Sequence, residues 1–158
     1  MKSVSLSELK KELQEIPQME LIELCVALAK YKKENKEFLG YLLFEAHDKN
    51  AFVKEVKKEI EEQITLLQSQ PNLYFVKKGL RKTLRVITKY NKYISDKAFS
   101  ADLLICFCSK LKHSGIPYRK SQLIVNMYEQ QLKKINVLIN SLHEDLQQDY
   151  LHDLEKLV

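Results

Sequence analysis

Residues 75–97, "FVKKGLRKTLRVITKYNKYISDK", decide how the chain is read, because apolar and basic side chains alternate there at helical rather than strand spacing. On a helix of 100° per residue, Lys78, Lys82, Arg85, Lys89 and Lys92 fall within about 80° of one another. Val76, Leu80, Leu84, Ile87 and Ile94 lie on the opposite side. The spacing predicts an amphipathic helix from about residue 78 to 95 that buries one face and turns a row of cations outward over about 21 Å.

The same pattern extends in both directions. With only three Gly and three Pro in 158 residues, the chain has few turn residues for a sheet, while Leu, Lys, Glu, Ile and Gln favour long helices. Ser5 and Glu8 match a capping box ahead of Leu6, Leu9, Leu13 and Ile16, which predicts a first helix near 6–16 that Pro17 ends. Leu21, Leu24, Cys25, Leu28 and Tyr31 mark a second near 18–33. Phe38, Leu39, Leu42 and Leu43 face inward in a short third near 36–46. Asp48 is placed as the N-cap of a fourth with a seam of Phe52, Val53, Val56, Ile60, Ile64 and Leu67. After the basic helix come an apolar one near 98–113, stopped by "HSGIP", and a long one from Tyr118 to Asn140. Ser141 and Glu144 suggest a second capping box and a separate last helix. The fold expected is all-α, a single domain over residues 1–158, built as an irregular helical bundle or a short α-solenoid of about seven to eight helices.

Size and charge bound the function. A domain of this length buries roughly 70% of its unfolded surface and needs no disulfide or metal to fold. Three cysteines inside apolar helical patterns, no signal-like amino terminus, and a longest apolar run, "LLICFC", far short of the ~20 residues of a membrane span point to a soluble cytoplasmic protein without membrane attachment. Residues 77–97 carry seven net positive charges, so the total of +5 leaves −2 for the rest, and the basicity is local. No Glu occurs between residues 63 and 128, and Asp96 and Asp102 are the only acids there.

Other constellations carry less. Cys106 and Cys108 point about 200° apart on a helix, and His113 lies roughly 10 Å of rise from Cys106, so "CFCSKLKH" is not a metal site. Asp149 and His152 lack the second acid–His pair that a carboxylate-bridged metal bundle needs. Asp145, Asp149 and Asp153 form an acidic stripe, solvated or paired with the basic one. His47, His113, His143 and His152 are scattered, with no nucleophile elbow, phosphate loop or HExxH, so neither catalysis nor a cofactor is expected. Gly79 leaves open a helix entrance at Lys78, Arg81 and Lys82 that would hold an anion.

The order "LSELKKELQEIPQMELIELCVALAKYKKENKEFLGYLL", a charged helix, "KKGLRKTLRVITKYNKY" and then "ADLLICFCSKLKHSGI" resembles a small family of uncharacterised, helix-rich bacterial proteins. The resemblance implies a cytosolic helical domain and brings no functional residue with it. In such relatives the basic segment looks like a Gly-rich loop introduced by proline, whereas here only Gly79 stands beside Lys78.

The expectation is a non-enzymatic helical protein–protein interaction domain with a protein partner. The alternative is salt-sensitive, sequence-tolerant binding of nucleic acid or another polyanion through Lys78, Arg81, Lys82, Arg85, Lys89 and Lys92, with Tyr90 and Tyr93 available for stacking on bases. The same stripe is equally the solvated side of a bundle helix. Neutralising acids from neighbouring helices would decide for that plainer reading.

Overall fold

The computed structural model describes residues 4–158 and is all-α. The chain, read from sequence as one domain, divides by its contacts into two compact units, Met1–His47 and Asp48–Val158.

In the first unit, α1 (Leu6–Glu15), α2 (Gln18–Tyr31) and α3 (Lys33–Gly40) follow in order, and α3 runs on into a π-helical turn at Tyr41–Glu45. The capping box forms as the sequence predicts: the Glu8 N–H donates to Ser5 Oγ at 3.2 Å, and the Ser5 N–H donates to Glu8 Oε2 at 2.8 Å. Pro17 is the N-cap of α2. α2 packs on α3, and Asn35 Nδ2 donates to the Leu28 carbonyl at 2.8 Å, satisfying an acceptor near the end of α2. Among the described residues of this unit, Tyr41 alone is buried. The expectation that Phe38, Leu39, Leu42 and Leu43 turn inward is therefore corrected. Leu42 and Leu43 are 50% and 64% exposed, Phe38 is also exposed, and only Leu39 is half-buried.

The second unit holds α4 (Lys49–Gln68), α5 (Leu73–Ile94), α6 (Lys97–His113), a 3₁₀ turn (Tyr118–Lys120), α7 (Gln122–Ile139) and α8 (Glu144–Glu155). α6 is its hub, packed by α4, α5, α7 and α8, the arrangement of a bundle. Its sequence explains this. Ala101, Leu103, Leu104, Phe107, Cys108 and Leu111 form a buried arc about 160° wide, Ile105 and Cys106 carry apolar character onto the other side, and no residue from 98 to 112 is exposed. Val53, Val56, Ile60 and Ile64 of α4 and Ile124, Met127, Ile135 and Ile139 of α7 close the core.

Polar ends are satisfied locally. Asp48 Oδ1 accepts from the Ala51 N–H at 2.9 Å, and Asp96 Oδ1 accepts from the Ala98 N–H at the same distance. Gly115, at φ +75°, takes the left-handed turn after α6. The chain breaks before α8 as predicted, but not through the expected capping box. Ser141 Oγ donates back to the Leu138 carbonyl at 2.7 Å, and the N-cap is His143. Tyr128 OH donates to the Leu157 carbonyl at 2.9 Å, fixing the last residues to α7. No helix among the described residues is long and apolar enough to cross a membrane.

Candidate functional site

α5 starts earlier than its apolar spacing suggests, because Asn72 caps it by accepting from the Tyr74 N–H at 2.8 Å. Gly79 therefore lies inside the helix. The anion-binding entrance at Lys78, Arg81 and Lys82 is not formed, since the backbone N–H groups there are spent on helical hydrogen bonds. The glycine has another cause: a Cβ at position 79 would run into the side chain of Leu67 on α4, so it permits close approach of α4 and α5.

The rest of α5 sorts by face as the periodicity requires. Val76, Leu80, Ile87 and Ile94 are buried as expected, Leu84 is only half-buried and Thr83 is buried beside them, whereas Lys78, Arg81, Lys82, Arg85 and Lys92 are exposed. None of these five exposed cations makes an ion pair among the described residues. The nearby acids are occupied elsewhere. Asp96 caps α6, and Asp102 pairs with Lys57 at 2.6 Å. Glu61 pairs with Lys110. Glu59 is held in a chain across the α4–α5 contact: Thr83 Oγ1 donates to Gln63 Oε1 at 2.8 Å, Gln63 Nε2 donates to Glu59 Oε1 at 2.9 Å, and Tyr90 OH donates to Glu59 Oε2 at 3.3 Å.

Lys89 departs from the row. It is half-buried, with Nζ 4.6 Å from the centre of the Tyr90 ring. Tyr90 and Tyr93 are not free platforms for bases either. Tyr90 meets Phe52 edge-to-face at 5.3 Å and Tyr93 at 5.9 Å, and burial, helped by the Glu59 charge, pushes the Tyr90 hydroxyl above its ordinary pKa of 10. The stripe that remains is Lys78, Arg81, Lys82, Arg85 and Lys92, rich in charge and poor in stacking groups.

The acidic stripe of α8 is partly spent on its own helix ends: Asp145 lies 3.2 Å from His143, and Asp153 pairs with Lys156 at 2.9 Å. Cys108 is buried and Cys106 half-buried, and no cluster of three or more His, Cys, Asp or Glu side chains among the described residues could hold a metal ion. Burial pushes the Cys108 thiol up to about 12, which keeps it protonated and inert.

A second surface was missed by the sequence reading. Fourteen large apolar side chains between Val4 and Phe44 are exposed, against eight in the whole of residues 48–158, so the first unit is the more apolar in its surface despite being much the smaller. Between α2 and α3 these side chains frame a groove of about 260 Å³, lined by Cys25, Leu28, Ala29, Phe38, Leu39 and Leu42. The amphipathic spacing of α1 to α3 was visible, but it indicates which faces require burial and not what buries them.

No protein-family model matches the chain, and no curated protein or solved structure is significantly similar to it.

Proposed function

We propose that the protein is a non-enzymatic, cytoplasmic helical interaction protein that binds a protein partner through the apolar faces of α1 to α3. One observation carries this reading: residues 4–47 form three helices around a single buried side chain while exposing fourteen large apolar ones. A partner helix laid into the α2–α3 groove would cover Leu28, Phe38 and Leu42 among them in the mode used by helix-in-groove recognition. The test is affinity capture from nuclease-treated lysate with the full chain and with Leu28→Asp plus Leu42→Asp. Both positions are exposed, at 62% and 50%, so the fold tolerates the change. A protein retained by the natural chain and reduced at least tenfold by the variant is expected. The same proteins retained equally by both would overturn the reading.

A second reading rests on its own observation, the five unpaired cations of α5, and assigns that face to a polyanion such as single- or double-stranded nucleic acid. Lysine-rich and without a free stacking platform, it would follow phosphates and not bases. Titration of labelled duplex is expected to give micromolar binding at low salt. If all five cations engage phosphates, the log–log salt slope is about −4 to −5, at ~0.9 per contact. Absence of binding at low salt would dismiss it.

A further inference from the structure

The second unit carries an open groove of about 710 Å³ between the second half of α5, the start of α6 and the second half of α7. That volume is within the ~300–1,000 Å³ of small-molecule sites. Its wall is aliphatic, made by Leu84, Ile87, Leu104, Val137 and Leu138. Three lysines line it, Lys92, Lys133 and Lys134, and no acid does. No aromatic ring, histidine or arginine lines it either, so it offers nothing for a nucleobase to stack on. We propose that this groove is a binding site for a single-chain anionic lipid, an acyl chain lying on the aliphatic wall with a phosphate or carboxylate head held by Lys133, Lys134 and Lys92.

Polar groups at the groove fit a head that also carries a hydroxyl. Asn91, Ser95 and Ser100 line it, a carboxamide and two hydroxyls able to exchange hydrogen bonds with such a head. Ser95 beside it adopts a left-handed conformation at φ 53°, alone among the described non-glycine residues, and closes α5 where the groove begins. Burial of the chain would supply the affinity, because apolar area removed from water is the dominant favourable term. The lysines would supply selection for a negative head. The site stands apart from the α5 stripe, sharing only Lys92 with it, and does not involve the apolar faces of α1 to α3.

The probe is 1-oleoyl-lysophosphatidate below its micellar concentration, measured against the full chain by titration calorimetry. One-to-one binding is expected, with glycerol 3-phosphate not bound and the uncharged monooleoylglycerol at least tenfold weaker. Val137→Trp, placed at a position 68% exposed, fills the groove without touching the core. It and the double variant Lys133→Gln, Lys134→Gln should each weaken binding at least tenfold with unchanged thermal melts. The proposal is overturned by three results. They are absence of saturable binding, retention within twofold in both variants (which would put the lipid on the exposed apolar side chains of residues 4–47), and adenosine monophosphate bound in preference to the lipid.

Discussion

Gly79 shows how one residue sets the distance between two helices. Glycine inside a helix is less favourable than alanine by roughly 0.8–1.0 kcal/mol, so its presence within α5 requires a reason. That reason is Leu67, whose side chain occupies the space a Cβ would take. Gly79→Ala alone should therefore yield little or no stability, because the propensity gain is cancelled by displacement of Leu67. In a Leu67→Ala background the same substitution should stabilise by about 0.5–1 kcal/mol, and chemical denaturation of the four proteins measures the coupling. Equal effects in both backgrounds would remove Leu67 from the explanation. The sequence had offered Gly79 as a helix entrance. Nothing local distinguished the two roles, since the decisive atom lies twelve residues upstream on another helix.

At the scale of the helix, α5 was the most legible element. Its two faces, the outward set of Lys78, Arg81, Lys82, Arg85 and Lys92, and its apolar flank all follow from 3.6-residue periodicity alone. Its beginning was not legible, because the Asn72 cap precedes a stretch, Leu73 to Phe75, whose exposed rings hide the period. Lys89 was also misplaced in the row, drawn aside by Tyr90, a contact that depends on Phe52 holding the ring from α4. Caps divide in the same way. Ser5 with Glu8 and Asp48 formed because their partners are three residues away, whereas Ser141 found a nearer acceptor in the Leu138 carbonyl and left α8 to His143. If the α5 face engages a polyanion, Lys82→Gln with Arg85→Gln should reduce the magnitude of the salt slope by about 1.8 for duplex DNA. An unchanged slope would show that these two cations touch no phosphate.

Across the whole molecule, the two units differ in what holds them. In residues 48–158 the neighbouring helices leave no residue of α6 from 98 to 112 exposed, while the described residues 4–47 bury one tyrosine. Few buried contacts mean low local stability. Amide hydrogen exchange of the free protein should therefore show α1 to α3 exchanging at least a hundredfold faster than the centres of α6 and α7. Comparable protection in all of them would mean that the apolar faces of the first unit are already covered. All-α architecture was legible from composition and periodicity, because both are sums over local preferences. The division into two units was not, since it depends on which helices find partners in space. The account turns on whether the faces of α2 and α3 meet another protein, and site-resolved photocrosslinking in cells tests that directly. With benzoylphenylalanine at position 28 or 42, it predicts covalent adducts to a discrete protein, a second copy included, and none from the exposed position of Glu129 on α7. Equal labelling from all three positions, or from none, would contradict it.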